Sequence, residues 1–478
     1  MNWIEWVLIF IHFILASTAA GHALIYKRDS RAAFGWVAVC VVFPLFGPLL
    51  YFLFGINRIR TRAKKLHGRP RFKLGMGFER SEDSISDIGP ISDVPSKYSR
   101  FARISNKVSH RPITFGNRLR ILNNGEQAYP AMLLAIEESR HLVYLSTYIF
   151  ETNPVGRRFI NALAAAAKRG VDVRVIIDGM GEKYSLPWAG TLLAQAGVRI
   201  ARFLPPQLWP PQMHINLRNH RKILVVDALT GFTGGMNIGG RHMVSNVNRR
   251  KRVADVHFCI EGPIVAQLQQ IFLENWEFVT DDSPSAAPDT LTGDKGPAIC
   301  RAIVNGPDED IDKLAAILAG AVSAAKRSVL IMTPYFLPSR EMIGAMQAAA
   351  LRGVDVAVVL PAKSNLPFVH WATQNMLWEL LQYQIQVWYQ PPPFNHTKLF
   401  VVDDCYTHIG SANLDPRSLR LNFELAVEVM DSAFAHKIAG HIHNTIQRSR
   451  QVTLEEVDGR SFSVRLRDAF SWLFSPYL

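Results

Sequence analysis

The chain has 478 residues, of which 48% are hydrophobic and 19% are charged. This composition excludes an intrinsically disordered protein, which combines low hydrophobicity with a high density of charge. The formal net charge of +13 favours an anionic partner, which leaves nucleic acid, an anionic membrane and an acidic substrate as the classes to separate.

Two apolar segments open the chain. Residues 6–26 and 33–54 contain no Asp, Glu, Lys or Arg, and a helix of ~20 apolar residues crosses a bilayer. We therefore predict two transmembrane helices within residues 1–57. A cleaved signal peptide is the alternative, but a basic amino-terminal region is absent and a second apolar segment follows at once. Pro44 and Pro48 leave open whether the second segment spans the membrane or re-enters it.

A basic segment follows the apolar pair. Between residues 58 and 73 there are lysines and arginines but no acidic residue. Such a segment beside a membrane span indicates a cytoplasmic flank that is attracted to anionic headgroups, although a solvated linker remains the alternative. Residues 74–98 are rich in Gly, Ser, Asp and Pro, so we assign residues 58–109 to a basic flank and linker.

The rest of the chain repeats one α/β unit. The block Arg-Gly-Val-Asp-Val occurs at residues 169–173 and again at 352–356, each time between a helical stretch and a short apolar strand. Apolar strands rich in β-branched residues suit a sheet that helices cover on both faces. Gly170 and Gly353 stand where a helix would end. We predict a tandem duplication of α/β sandwich domains, with two unrelated α/β domains as the alternative.

The repeat also sets the domain boundaries that we expect. Turn-forming composition separates the two copies, and aromatic residues beside arginines follow the second copy as an amphipathic segment. The boundaries are 110–280 for the first domain, 281–297 for a connector, 298–452 for the second domain and 453–478 for the carboxyl-terminal segment.

The cysteines and the missing nucleotide signature narrow the chemistry further. Cys40, Cys259, Cys300 and Cys405 lie far apart, without a CxxC pair or zinc-ligand spacing. They argue against a disulfide scaffold and a zinc site and favour a reducing compartment. The sequence also lacks a GxxxxGK[ST] phosphate loop, so we predict neither a metal nor a cofactor.

Each copy carries the pattern HxKxxxxD, then six residues, then G-[GS]-x-N. Side chains alternate along a strand, so the His and Lys of one motif project to the same face while the Asp has the opposite parity. We interpret the two Asp residues as supporting or structural carboxylates rather than groups that touch the substrate. The two copies are in register, and the candidate residues are His220, Lys222, Asp227 and Asn237 in the first and His396, Lys398, Asp403, Ser411 and Asn413 in the second.

Two such motifs suit phosphodiester chemistry without a metal. A duplication can place two imidazoles across a pseudo-twofold axis, where one attacks phosphorus and the other protonates the leaving alkoxide. The second imidazole then deprotonates the incoming hydroxyl, while the lysines and asparagines hold the charged oxygens. A lone histidine on an apolar strand is usually a hydrogen-bonded core residue. Because the same motif occurs twice in register, we interpret both histidines as catalytic instead.

These paired motifs resemble the phospholipase D superfamily over residues 110–450. The apolar pair, the basic flank and the blocks at 336–339 and 413–419 are similar to the bacterial cardiolipin synthase family over nearly the whole chain. That resemblance implies that two phosphatidylglycerol molecules give cardiolipin and glycerol through a phosphatidyl-histidine intermediate. It also implies that His220 is the nucleophile and that His396 is the acid and base.

The resemblance further implies a carboxylate after each motif that orients the histidine. Glu424 matches this position well, and Asp255 is its counterpart in the first copy. Gly235 stands where the family more often has a serine, so the hydroxyl present at Ser411 is missing from the first copy. The two halves are therefore not chemically equivalent.

Lipid is the substrate class that the whole pattern favours. The apolar amino terminus and the aromatic stretch at residues 366–394, just before the second motif, suit a lipid with acyl chains, although part of that stretch also suits a core helix. We expect phosphatidylglycerol and anionic membrane lipid as partners, no nucleic acid, and a multi-pass location in the bacterial inner membrane with cytoplasmic catalytic domains. A phospholipase D or another phosphatidyl transferase is the alternative, and a membrane-tethered nuclease is a more distant one.

Overall fold

The computed structural model describes eight stretches of the chain. The predicted basic flank at residues 58–73 lies outside them, as does most of the predicted connector. The described residues fall into two compact units, one within Met1–Gly68 and the other within Arg69–Leu478. The stretches are 3–27, 30–55, 91–109, 111–206, 216–246, 251–282, 293–307 and 312–477.

The first unit contains three α-helices among its described residues, α1 (Trp3–Tyr26), α2 (Ser30–Val42) and α3 (Phe46–Leu50). Of the helices in the described part of the chain, only α1 is long and apolar enough to cross a membrane. Helix α2 is 13 residues long, roughly 20 Å, against ~30 Å for a bilayer core. Proline has no amide hydrogen for a helix, and α2 ends just before Pro44. The prediction of two transmembrane helices is therefore not confirmed.

The second unit is built on one large sheet. Within the described residues, fifteen strands form this sheet, and β7 and β13 form a separate pair. The strands are β1 Thr114–Asn123, β2 Leu142–Thr147, β3 Asp172–Asp178, β4 Arg199–Phe203, β5 Ile223–Val226, β6 Thr230–Gly234, β7 Val253–Ala254, β8 Val256–Glu261, β9 Ala298–Asn305, β10 Ser328–Met332, β11 Asp355–Pro361, β12 Gln386–Gln390, β13 Phe394–Asn395, β14 Leu399–Val402, β15 Tyr406–Gly410, β16 Glu424–Met430 and β17 Arg450–Val452.

The order of the strands confirms the tandem duplication. Strands β1 and β9 pair antiparallel at the centre of the sheet. Outward from this pair, the first half runs β8, β6, β5, β2, β3, β4 and the second half runs β16, β15, β14, β10, β11, β12, with β17 added at the edge. The two copies therefore share one continuous sheet.

Helices cover both faces of this sheet, as the apolar strands predict. In β2, Val143 and Leu145 join the buried core on one face, whereas Tyr144 stacks on Phe272 of α8 on the other. The helices of this unit are α4 Ser96–Val108, α5 Asn124–Glu138, α6 Pro154–Lys168, α7 Ala189–Gln195, α8 Ile264–Thr280, α9 Lys313–Ser323, α10 Arg340–Leu351, α11 Pro367–Met376, α12 Trp378–Leu381, α13 Ser432–Ile446, α14 Leu454–Asp458 and α15 Phe462–Trp472.

Local backbone geometry matches the expected helix ends. Gly170 and Gly353 follow α6 and α10 with φ angles of 89° and 82°, which residues with a Cβ adopt only at a cost. Each glycine turns the chain into the next parallel strand, and this brings β3 and β11 beside β2 and β10.

Residues 96–108 differ from the prediction of a linker up to residue 109. They form α4, whose Tyr98, Phe101 and Ala102 are buried in the hydrophobic core of the second half. Apolar residues three and four positions apart lie on one face of a helix, and that spacing is visible here on either side of polar residues. The folded part of the second unit therefore extends at least to α4, before the first strand of the sheet.

Candidate active site

His220 and His396 occupy equivalent places in the two halves. His220 lies just before β5 and His396 just before β14, and these strands run antiparallel to β2 and β10. Both histidines therefore lie at the carboxyl ends of β2 and β10. Their side chains are 22% and 19% exposed, so a substrate can reach both.

Backbone hydrogen bonds tie each histidine to the opposite half of the chain. The amide of His220 donates to the carbonyl of Phe423 over 2.9 Å, and the amide of His396 donates to the carbonyl of Ala254 over 2.7 Å. The short pair of β7 and β13 continues the second of these contacts. Each histidine consequently lies beside the residue that precedes the other half's carboxylate.

The carboxylates cross between the halves in the same way. Nδ1 of His220 lies 3.1 Å from Oε1 of Glu424, and Nδ1 of His396 lies 3.0 Å from Oδ2 of Asp255. Both carboxylate side chains are fully buried. A carboxylate at Nδ1 fixes the ring orientation and leaves Nε2 as the reactive nitrogen. Each motif is thus followed by a carboxylate that orients the histidine of the other motif.

The two lysines are buried beside the histidines. Nζ of Lys222 donates to the carbonyl of His220 over 2.6 Å, and Nζ of Lys398 lies 2.9 Å and 3.0 Å from the two ring nitrogens of His396. Burial lowers the pKa of Lys398 to about 7, although the charge of Asp255 opposes this, and burial also lowers the pKa of Lys222. A bound phosphodiester would supply the negative charge that stabilises both ammonium groups.

The electrostatics of the two histidine–carboxylate pairs differ. Burial, followed by the charges of the two lysines and of His220, lowers the pKa of His396 well below its ordinary value. Burial raises the pKa of Asp255. In the other pair, burial also acts to raise the pKa of Glu424, but His220, the charge of Lys222 and the hydrogen bond of Ser411 together outweigh it and lower that pKa.

Gly235 and Ser411 account for part of this difference. The hydroxyl of Ser411 donates to Glu424 and accepts the amide of Leu425 over 3.0 Å. In the first half, a Cβ placed on Gly235 would lie only 2.4 Å from Oδ1 of Asp255. The missing side chain at residue 235 therefore leaves the space that the Asp255 carboxylate occupies.

Asn237 and Asn413 are buried near the site, and both side chains already have protein partners. Oδ1 of Asn237 accepts the amide of Ile149 over 3.1 Å, which holds the segment that follows β2. Nδ2 of Asn413 donates to the hydroxyl of Ser418 over 3.0 Å. These contacts give both asparagines a role in shaping the site.

The structure places Asp227 and Asp403 away from His220 and His396, which fits carboxylates that support the fold rather than touch the substrate. They lie at the opposite ends of β5 and β14. The carboxylate of Asp227 accepts the amides of residues 140–142, and that of Asp403 accepts those of residues 326–328. Each Asp therefore fixes the start of the neighbouring antiparallel strand, β2 or β10.

Two tyrosines that the motifs do not include line the site. The Tyr148 ring lies 4.3 Å from the His220 ring, and the Tyr335 ring lies 6.2 Å from the His396 ring. Both follow a threonine that ends β2 or begins the turn after β10, so the repeat itself carried a signal for them. A third ring, His257, is buried behind Asp255, and burial lowers its pKa to about 4.

Comparisons with known proteins fit this geometry. Residues 132–276 and 318–446 match a family profile described as cardiolipin synthase, PLD-like domain, and residues 6–55 match one described as phospholipase D-nuclease N-terminal. The chain is 31% identical to the major cardiolipin synthase ClsA of Bacillus subtilis, with 95% of each chain covered. It is 30% identical to a cardiolipin synthase of Geobacillus kaustophilus, with 95% of this chain and 90% of the relative covered.

A solved structure shows the same fold at low identity. The phosphatidylserine synthase of Haemophilus influenzae superposes with a TM-score of 0.59, covering 79% of this chain and 100% of that chain at 13% identity. The match extends over most of the chain described above, so the duplicated sheet and its helices are an arrangement that other proteins share.

Proposed function

The chain belongs to the bacterial cardiolipin synthase family, and on that premise we propose that it condenses two phosphatidylglycerol molecules into cardiolipin and glycerol. It is a phosphatidyl transferase that exchanges one phosphodiester for another. The observation that carries the proposal is the crossed pair of histidines, each of which has a buried carboxylate at Nδ1 and a buried lysine beside it.

The first step forms a covalent phosphatidyl-histidine. Nε2 of His220 attacks the phosphorus of one phosphatidylglycerol, and the bond from phosphorus to the headgroup glycerol breaks. His396 gives its proton to the departing glycerol oxygen. The negative charge of the bound phosphodiester supports the protonated form of His396 that this step requires, and the ammonium groups of Lys222 and Lys398 stabilise the developing charge.

The second step transfers the phosphatidyl group to lipid. Neutral His396 takes the proton from a headgroup hydroxyl of the second phosphatidylglycerol, whose oxygen attacks phosphorus and displaces His220. The phosphorus–nitrogen bond breaks, cardiolipin leaves, and both rings return to their starting protonation states. Water in place of the second lipid would give phosphatidic acid, so exclusion of water decides the product.

We also propose a location at the cytoplasmic membrane, with the catalytic unit on the cytoplasmic side. Helix α1 is apolar enough to span, and basic residues occur both between α1 and α2 and after residue 57. Because basic loops favour the cytoplasmic side, a re-entrant turn at residues 43–45 would keep both basic segments there. Cysteine labelling from each side of sealed vesicles tests this arrangement.

The activity is tested by giving the purified chain phosphatidylglycerol alone and analysing the lipid products. We expect cardiolipin and free glycerol in equal amounts, and loss of both with His220→Ala. A second arm includes phosphatidylethanolamine, to learn whether it can replace one substrate. Phosphatidic acid without cardiolipin would make the chain a phospholipase D, and cleavage of oligonucleotides that requires His220 would make it a nuclease.

A further inference from the structure

Helix α15 has its polar side turned inward and an apolar side turned outward. Asp468 and Ser471 are fully buried, whereas Phe462 is 81% exposed and Leu466 is 59% exposed. Water-soluble proteins ordinarily arrange the two sides of a surface helix the other way round. The outward set, which we call the α15 stripe, consists of Phe462, Leu466, Phe470 and Leu473.

The inward side is held by specific contacts, so the orientation of α15 is well defined. The buried carboxylate of Asp468 pairs with Arg460 and Arg467. Arg467 also lies over the ring of Trp371 in α11, with its guanidinium carbon 4.5 Å from the ring centroid. A helix anchored by a buried carboxylate cannot rotate its apolar stripe into the core without leaving that charge unpaired.

The α15 stripe is connected to the entrance of the active site. Tyr335 contacts the ring of His396, and its hydroxyl donates to Oδ1 of Asn365 over 2.7 Å. Just after Asn365, the Phe368 ring lies 5.6 Å from the ring of Phe474, next to the stripe. A short series of neighbouring side chains thus leads from the catalytic histidine to the exposed apolar surface.

The first half presents exposed apolar side chains beside its own histidine. The Tyr148 ring, which contacts His220, lies 6.4 Å from the ring of Tyr184. Tyr184 is 59% exposed and Leu186 is 77% exposed. Exposed apolar side chains therefore border the site in both halves. A surface that binds a protein through α15 alone would not need the exposed side chains of the first half.

We propose that the α15 stripe docks the catalytic unit on the surface of an anionic phospholipid bilayer, beside the entrance to the active site. This inference rests on the proposed function, because a lipid substrate enters most directly from a bilayer against which the site opens. Arg465 is exposed at the edge of the stripe, where a basic side chain can reach lipid phosphates while the apolar side chains enter the acyl region.

The docking is tested on the full chain reconstituted in vesicles of phosphatidylglycerol and phosphatidylethanolamine. An environment-sensitive fluorophore is attached to Phe470→Cys, and lipids with a quencher on the acyl chain are added. The four native cysteines are buried, and the labelled unsubstituted chain gives the background. The matched control is Leu351→Cys, which is also exposed (75%) but ends α10 on the side of the sheet away from the histidines.

We expect quenching at residue 470 and none at residue 351. Equal quenching at the two positions, or none at 470, would overturn the docking and leave the stripe to a protein partner or a second copy of the chain. Replacement of the anionic lipid by phosphatidylcholine is expected to weaken quenching at residue 470. Unchanged quenching would contradict binding of lipid phosphates by Arg465.

An activity measurement separates failure of the docking from failure of the proposed function. The double variant Leu466→Gln, Phe470→Gln should form cardiolipin about tenfold more slowly from vesicles and unchanged from short-chain monomeric phosphatidylglycerol, because only vesicles require burial of the two side chains. Leu351→Gln should match the unsubstituted chain in both assays. If the unsubstituted chain makes no cardiolipin from vesicles or from monomeric lipid, the proposed function is refuted. If the double variant is as active as the unsubstituted chain in both assays, the docking is refuted.

Discussion

Glu424 in the second half of the chain orients His220 in the first, with Oε1 of the carboxylate 3.1 Å from Nδ1 of the ring. Asp255 does the same for His396 in the opposite direction. Neither half contains a complete histidine–carboxylate pair of its own, so the catalytic unit is the whole sheet. The consequences of this crossing can be measured one side chain at a time.

The first prediction concerns the crossed carboxylates. Glu424→Gln should lower the rate of cardiolipin formation about 100-fold, because the amide no longer fixes the tautomer of His220. The effect should fall on kcat, with little change in KM for phosphatidylglycerol. Glu456→Gln is the control, since Glu456 makes a surface ion pair with Arg450. Equal rates for the two variants would contradict an orienting role for Glu424.

The second prediction concerns the histidines. His220→Ala and His396→Ala should each abolish turnover, because one removes the nucleophile and the other removes the acid and base. In rapidly quenched samples of the unsubstituted chain, mass spectrometry should find a phosphatidyl group on His220. A phosphatidyl group on His396 in the His220→Ala variant would reverse the two roles, and substantial turnover in either variant would refute the two-histidine mechanism.

The third prediction uses the difference between Gly235 and Ser411. Gly235→Ser should impair catalysis strongly, because its Cβ would lie 2.4 Å from the carboxylate of Asp255 and displace it from His396. Ser411→Gly should be milder, since it removes only one hydrogen bond to Glu424. The kcat values of the two variants are compared at a temperature where both remain folded. A stronger effect of Ser411→Gly would show that the space at residue 235 does not position Asp255.

The fourth prediction concerns the buried ammonium of Lys398, whose pKa is lowered to about 7. Below pH 7 the folded chain carries a buried charge, and between pH 7 and the ordinary lysine pKa the unfolded chain binds more protons than the folded one. Stability should therefore rise with pH across this range. Lys398→Met should raise the apparent Tm at pH 6 and abolish activity.

The gain in Tm from Lys398→Met should shrink as the pH is raised from 6 to 9, because the lysine loses its proton in the folded chain. Thermal unfolding in the same detergent at each pH measures this difference. Lys437→Met, on the surface helix α13, is the control for loss of a lysine charge. A gain that grows with pH would contradict the assignment.

The fifth prediction separates Asp227 from the catalytic residues. Asp227→Ala leaves the amides of residues 140–142 without their acceptor and should lower the free energy of unfolding by about 2 kcal/mol. At a temperature where the variant stays folded, its kcat should remain close to that of the unsubstituted chain. A lower kcat in a variant of unchanged stability would show that Asp227 takes part in the reaction.

Much of the fold was predictable because duplication repeats every local signal. The Arg-Gly-Val-Asp-Val blocks marked a helix end and a strand start in both halves, and Gly170 and Gly353 confirm them with positive φ angles. The register of the two motifs also predicted that His220 and His396 occupy equivalent places, although β5 and β14 begin three residues after them. These features depend on neighbouring residues, and neighbours are what a sequence displays directly.

The parts that were missed depend on contacts between distant residues. The family resemblance pointed to Glu424 and Asp255 as the carboxylates but did not show that each crosses to the other half. The crossing follows from the pairing of β7 with β13 and the bridge of Asn219 to Phe423. Likewise, composition suggested a long second apolar helix, whereas the helix ends at Val42, just before a proline.

The crossed pairs also determine when, during synthesis of the chain, the active site can be completed. The amino-terminal half, with its apolar helix, leaves the ribosome first and can begin to fold before the second half exists. His220 then has no carboxylate, because Glu424 is synthesised only near the end of the chain. We therefore expect a chain that lacks the second half to attack lipid poorly until that half has folded against the first.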